Sequence, residues 1–539
     1  MARPQPAPPD RPLVYAAALA LLLFASLTTF LSANDYPLLS AEVGLLFAAC
    51  LAAGAALGLA VRFGMRVAAA LLLGACAAAC IELMQDLEGR KAALVLLLLG
   101  CLAAAWFLRR HIAAVITAAS LVWLSTTLVI PATTPEGQAA AERDAQTVAP
   151  NPPAGGSPVI LHLVLDEHIG VDGVPPEIAG SETFRRLLID FYVERGFRID
   201  TGAYSQYVDT RNSLANLMNF TSSADPWAHL APGRSRPYVL QQSAYFGHLR
   251  ERGYRLRVYE SDYLDFCRVP GMTYAACIQY SGHKIGAVHR TSLDAAERAQ
   301  FIVHSALASS YYVARARTAY EKVRRSFAGA PLPAWEHGPS RVGPIPVLPV
   351  LAQLESDLRR AKRGTVYFAH LLIPHYPYVL DESCGLREET GEWLDHALHV
   401  GERVLNTAES RAERYVRYFA QVRCQLSLLD RLFDAMKEAG VWDDAIVIVH
   451  GDHGSRILRL MPVAANAARL TRADLRDAYS TLFAIRAPGT AAGARGGQQP
   501  LQRLLGEAFG IAGAEFPARL YLRAENGATL PPHDFTRLK

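Results

Sequence analysis

Val159-Ile160-Leu161-His162-Leu163-Val164-Leu165-Asp166-Glu167 is the stretch on which the fold turns. An apolar run this short, partly β-branched and closed by two acids, reads as a buried strand and not as a helix. Asp166 and Glu167 then stand just beyond its carboxyl end, where α/β sheets collect their functional groups.

Working outward toward the C-terminus, Ser181 to Gly196 predicts an amphipathic helix, with Phe184, Leu187, Leu188 and Phe191 at helical spacing and Gly196 as its stop. Arg255–Glu260, Thr365–Leu372, Ala445–His450 and Leu482–Arg486 read as further strands, separated by helical stretches such as Ala408–Ala439. This alternation predicts an α/β domain over residues 158–539, with a mostly parallel central sheet flanked by helices. Ser292 to about Ser326 is helical and basic, with Tyr311, Tyr312 and Tyr320, and reads either as a solvated surface helix or as a segment packed on a membrane face.

Toward the N-terminus the composition changes twice. Residues 132–157 are rich in Thr, Pro, Gly, Ala and Glu without apolar periodicity, as a linker requires. Residues 1–131 hold five uncharged stretches, Leu13–Leu31, Val43–Val61, Val67–Ile81, Ala92–Leu108 and Ile112–Ile130. Each approaches the roughly 20 residues of a bilayer-crossing helix. The third is interrupted near one end by Glu82. The first is too long, and too closely followed by others, to be a cleaved signal peptide. Arg3, Arg11, Arg62, Arg66, Arg109 and Arg110 fall in alternate connections, which predicts a cytoplasmic N-terminus and, with five spans, a C-terminal domain outside the cytoplasm.

The net charge of +4, with no basic cluster interleaved with aromatics, excludes a nucleic-acid partner. Four of the eight cysteines, Cys50, Cys76, Cys80 and Cys101, lie in the predicted spans. The other four permit disulfides, Cys267 with Cys277 and Cys384 with Cys424 being one pairing among those possible. None has the C-x-x-C spacing of a zinc ribbon.

Phosphoryl transfer needs ligands for a divalent cation, a nucleophile beside it and donors for the non-bridging oxygens. Asp452 and His453 follow the strand Ile446-Val447-Ile448-Val449, between Gly451 and Gly454. Asp166 or Glu167 supplies another carboxylate. Thr210, in Thr210-Arg211-Asn212-Ser213, stands just before a helix starting near Ser213, where an anion is favoured. Its hydroxyl is a poor nucleophile until a metal activates it, and Thr210 or Asn212 can equally be a helix cap. His370 and His375 end a strand and enter a Pro-rich turn, placed to hold a substrate phosphate or protonate a leaving group. His370 can equally be a core histidine.

On these residues the chain resembles the sulfatase-like branch of the alkaline phosphatase superfamily, and within it the membrane-anchored phosphoethanolamine transferases and lipoteichoic acid synthases, which carry five spans before an external catalytic domain. Thr210 and Ser213 match the nucleophilic threonine and the serine three residues on. His370 and His375 match the paired histidines, Asp452-His453 the metal-binding pair, and Asp166 or Glu167 the acidic ligand of the first strand. The resemblance implies metal binding by Asp166, Glu167, Thr210, Asp452 and His453, substrate binding by His370 and His375, and one divalent ion, zinc or manganese. Downstream of His453 the sequence holds only His533, so the extra histidine of some phosphoethanolamine transferases is missing. The Cys/Ser-x-Pro-x-Arg motif of true sulfatases is missing too. The implied function is a bacterial inner-membrane transferase with a periplasmic catalytic domain, moving a phospholipid head group to an envelope glycan or lipid through a phosphothreonine intermediate. The alternatives are a phosphodiesterase using water and a catalytically silent envelope scaffold.

Overall fold

The structure is a computed structural model describing residues 12–84, 91–129, 156–225, 227–231, 238–328, 342–387, 406–511, 516, 519–523 and 532–534. The linker expected at 132–157 lies almost wholly outside them. The chain divides into two compact units.

The first unit contains five apolar helices, α1 (Pro12–Ala33), α2 (Ala41–Arg62), α3 (Arg66–Met84), α4 (Lys91–Phe107) and α5 (Ile112–Val129). Three, in Pro12–Ala33, Ala41–Arg62 and Arg66–Leu83, are long and apolar enough to cross a membrane; Ala92–Phe107 and Ile112–Thr127 are apolar but shorter. The chain is thus membrane-anchored by composition. Gly54 and Gly58 on α2 let it approach α1 closely: a Cβ at Gly54 would lie 2.3 Å from the Ala16 carbonyl oxygen.

Two acids in this helical unit are buried and satisfied. Glu42, fully buried, accepts from Tyr36 Oη at 2.6 Å, His289 Nδ1 at 2.8 Å and Arg298 Nη2 at 3.4 Å. Glu82, the acid that interrupts the third apolar stretch, accepts from Ser310 Oγ and the Tyr311 backbone N–H, both at 2.9 Å. Apart from Tyr36, between α1 and α2, their partners come from α9 (Ala295–Ala308), α10 (Tyr311–Ala328), the turn between these two and the turn before α9, which belong to this unit. The single helix expected from Ser292 to Ser326 is therefore two, broken where Ser310 turns to Glu82.

The second unit is built on an eight-stranded sheet. Its strands are β1 (Ile160–Leu165), β2 (Arg198–Tyr204), β4 (Arg255–Ser261), β6 (Ala276–Tyr280), β7 (Thr365–Leu371), β8 (Ile446–Gly451), β9 (Phe483–Arg486) and β10 (Gly493–Pro500), in the order β10-β2-β9-β8-β1-β7-β4-β6. Only β9 runs against its neighbours β2 and β8; the other pairings are parallel. Short two-stranded pairs, β3 (Tyr238–Val239) with β5 (Leu264–Asp265) and β11 (Arg519–Tyr521) with β12 (Pro532–Asp534), lie outside it. Every residue of β1 and β7 is buried, as central strands covered on both faces require.

Helices α6 (Ser181–Glu194), α7 (Thr210–Leu217), α8 (Ala244–Glu251), α11 (Pro344–Leu358), α12 (Ala408–Glu438), α13 (Arg472–Tyr479) and α14 (Leu501–Phe509) complete the unit. Disulfides join Cys267 to Cys277 and Cys384 to Cys424, and the four span cysteines are free.

Candidate metal and phosphoryl-transfer site

β8, β1 and β7 are adjacent at the middle of the sheet, so the residues at their carboxyl ends meet. Asp166 follows β1, His370 is the penultimate residue of β7, and Asp452-His453 follow β8. All four are buried. His370 Nε2 donates to Asp166 Oδ2 at 3.3 Å. Asp452 Oδ1 accepts from the backbone N–H groups of Glu167 at 3.1 Å and His453 at 3.0 Å. His453 Nδ1 donates to the Gly454 carbonyl at 2.9 Å, so its Nε2 turns inward, 3.2 Å from Asp452 Oδ2 and 3.7 Å from Asp166 Oδ1.

Thr210 is the first residue of α7, not the one before the helix. Asp209 is the cap, its side chain accepting from the Asn212 N–H at 3.1 Å, which frees the threonine hydroxyl from that duty. That hydroxyl lies 3.3 Å from Asp166 Oδ2 and 3.4 Å from His453 Nε2. Ser213, one turn on, donates to the Asp452 carbonyl at 2.5 Å and so ties α7 to the turn after β8.

Gly451 and Gly454 are needed for close packing. A Cβ at Gly451 would lie 2.5 Å from the His168 carbonyl oxygen, and one at Gly454 would lie 2.2 Å from that of Asp477.

Two carboxylate oxygens here, Asp166 Oδ1 and Asp452 Oδ2, are buried without a hydrogen-bond partner. An unpaired buried carboxylate is expensive unless a cation compensates it. Burial and the neighbouring Asp166 push the Asp452 carboxyl up. Burial also raises Asp166, but His375, the hydrogen bond from His370 and His453 outweigh it and hold that carboxyl well below its ordinary value. Ligand atoms of Asp166, His370 and Asp452 lie within 4.8 Å of one another. Carboxylate, imidazole and hydroxyl donors so arranged fit a zinc- or manganese-class ion. His370, expected with the substrate, is therefore available to the cation as well as to a phosphoryl oxygen.

Glu167 has a different set of partners. It sits at φ 65°, and its carboxylate is forked by Arg456, itself at φ 52°. Its other oxygen accepts from the Tyr376 N–H at 3.0 Å. Burial raises its carboxyl, but His375 and Arg456 outweigh that and lower it. His375 Nε2 is 3.5 Å from both Glu167 Oε1 and Arg456 Nη2. The ligand atoms of Asp166, Glu167 and His375 form a second compact group, but the guanidinium already supplies the positive charge beside it. A third group, Glu260 with Cys267 and Cys277, offers no thiolate because those cysteines are bonded to each other.

One face of α12 supports this side of the site. Tyr418 Oη donates to the Glu167 carbonyl at 2.9 Å and accepts from the Ile169 N–H at 2.8 Å. Three residues on, Gln421 donates to the carbonyls of Pro374 and His375, both at 3.1 Å, and three further on is the disulfide-bonded Cys424. Beneath this cluster, Tyr245 donates to His162 Nδ1, His162 Nε2 donates to His450 Nε2, and His450 Nδ1 donates to the Gly451 carbonyl, each within 2.8 Å. Burial pushes His450 down to about 4, so this chain stays neutral.

No family model matches the chain, and no curated protein does either. Solved structures do overlap it. A Bacteroides thetaiotaomicron protein from a core genetic locus for the metabolism of multiple glycosaminoglycans is 14% identical, covers 70% of this chain and 84% of its own, and has a TM-score of 0.40. The C-terminal periplasmic domain of EcEptC from Escherichia coli, in complex with Zn, is 15% identical over 68% of this chain and 87% of its own, at 0.37. A phosphonate monoester hydrolase of Agrobacterium radiobacter is 10% identical over 68% and 80%, at 0.38. Overlap this slight leaves the chemistry to be argued from the residues themselves.

Proposed function

We propose that this protein is a metal-dependent, membrane-anchored transferase that moves a phospholipid head group, phosphoethanolamine or phosphoglycerol, to an envelope glycan or lipid. The observation that carries the reading is the Thr210 hydroxyl at the start of α7, 3.3 Å from Asp166 and 3.4 Å from His453, beside two unpartnered carboxylate oxygens. Asp166, Asp452, His453 and Thr210, with His370 beside them, would hold one zinc or manganese ion. Such an ion lowers the pKa of a bound hydroxyl and offsets phosphate charge.

Thr210 Oγ1 attacks the phosphorus of the donor phosphodiester and gives its proton to the facing Asp166 carboxylate. The bond from phosphorus to the diacylglycerol oxygen breaks, and that oxygen takes a proton, which His375 would supply. An acceptor hydroxyl then attacks the phosphothreonine and gives its proton back to His375, the bond from phosphorus to Thr210 Oγ1 breaks, and that oxygen recovers its proton from Asp166. Arg456 and the helix N-terminus favour the anion throughout. In this reading all five apolar helices cross a bacterial inner membrane, residues 1–131 form the transmembrane domain, the N-terminus is cytoplasmic, and 158–539 is the periplasmic catalytic domain.

The test is mass spectrometry of the peptide containing Thr210 after the metal-loaded protein meets envelope phospholipids without acceptor. A phosphoethanolamine or phosphoglycerol adduct on Thr210 is expected. An unmodified peptide with release of the head group would replace the transferase by a phosphodiesterase, and an unmodified peptide without release would leave a silent scaffold.

A further inference from the structure

We propose that α10 is an interfacial helix that binds the head-group layer of acidic phospholipids. The inference goes beyond the transfer reaction and rests only on the membrane placement of α1–α3.

Seven contacts fix the segment that carries α10 to one end of the helical unit. Lys284 Nζ pairs with Asp35, after α1, at 2.7 Å. The Gly286 N–H donates to the Asn34 carbonyl at 2.9 Å, and a Cβ on Gly286 would lie 2.3 Å from the Asp35 carbonyl oxygen. His289 and Arg298 reach Glu42, at the start of α2. Ser310 and Tyr311 reach Glu82, at the end of α3, and Tyr312 Oη donates to the Leu94 carbonyl near the start of α4. The end of α1, the start of α2 and the end of α3 emerge on the same side of a bilayer that these helices cross. The first turn of α10 is therefore held at the level where head groups begin.

From there α10 presents Val313, Ala316, Tyr320 and Val323 at spacings of three, four and three, a single helical stripe. Tyr320 is 60% exposed and Val323 58% exposed. Exposed aromatic and branched apolar side chains beginning at the membrane boundary are suited to the head-group and acyl boundary. Arg315 is exposed with its guanidinium 4.8 Å from the Tyr311 ring centre, and Arg317 flanks the stripe. The helix sequence adds Lys322, Arg324 and Arg325 against one acid, Glu321. A net basic helix of this kind selects anionic lipid over neutral lipid.

The test uses the full chain in lipid nanodiscs, with Cys50, Cys76, Cys80 and Cys101 replaced by serine and an environment-sensitive fluorophore on Tyr320→Cys, Val323→Cys or Arg315→Cys. Labels at positions 320 and 323 are expected to be quenched by lipid-borne spin labels, and the label at 315 chiefly by aqueous iodide. Equal quenching of all three by iodide would overturn the proposal. The unmodified protein gives a second arm through hydrogen exchange of residues 311–328. Exchange should slow by on the order of tenfold in discs carrying anionic lipid, relative to zwitterionic discs, and the gain should vanish at high salt. Identical exchange in both lipids would overturn the anionic preference.

Discussion

The two units bury acids in opposite ways. In the helical unit Glu42 meets three side-chain donors and Glu82 two donors, so each stands where its charge is answered. In the sheet unit Asp166 and Asp452 are as deeply buried, yet each keeps one oxygen without a partner. A buried acid whose hydrogen bonds are complete holds structure together. One left incomplete and facing a second like it costs stability, and in the function proposed above a cation would recover that cost.

Four outcomes break or sharpen this contrast. The largest effect belongs to Thr210→Ala, which should lower turnover by at least about 10³-fold while leaving the melting temperature within a degree or two of wild type. A comparable loss of fold in thermal unfolding would make Thr210 structural. Next, Glu42→Ala should destabilise the detergent-solubilised protein by about 3 kcal/mol, because it leaves the buried Tyr36 hydroxyl without its acceptor and the part-buried Arg298 and His289 without their anion. Asp452→Asn in metal-free protein should cost less than about 1 kcal/mol, since it retains the Oδ1 acceptor and removes repulsion with Asp166. If the two variants melt alike, the contrast fails.

Third, zinc or manganese at about 100 times its dissociation constant should stabilise the wild type by about 2.7 kcal/mol and chelation should reverse this, with Asp452→Asn showing no shift by calorimetry. The smallest effect is that of Gly454→Ala. It should cost about 1–3 kcal/mol by overpacking against Asp477, and it should weaken metal binding through the displaced His453.

The sheet was legible where strands are buried on both faces. β1, β7 and β8 are continuous apolar runs, and their ends carry the Asp-Glu, His and Asp-His motifs. β10, with the sequence GARGGQQP, has no apolar pattern because it is an edge strand, largely exposed on both faces. β2 and β6 also went unread, their apolar residues being interleaved with polar ones in runs too short to establish a period. At the site, Asp166, Thr210, Asp452 and His453 come together as the motifs imply. Arg456 was illegible: nothing in a turn three residues past His453 says that its guanidinium will fork Glu167. Asp209 did leave a signal, an Asp three residues before Asn212 at a helix start, but the neighbouring Thr210 and Asn212 offered the same capping chemistry. Tyr418 and Gln421 look like any half-polar helix face, since their partners are backbone atoms of distant turns.

The path of the chain through α9 and α10 bears on how the protein can be taken apart. After β6 the polypeptide leaves the sheet unit for the helical unit and returns before α11, so the units are joined covalently by more than the stretch between α5 and β1. A protease nick confined to residues 130–155 should not shed a soluble enzyme, and washing cut membranes should leave the sheet unit in the pellet. An expression clone starting near residue 156 would carry Tyr320, Val323 and the donors of Glu42 and Glu82 with nothing to dock on, and should aggregate unless residues 283–341 are replaced by a short polar loop.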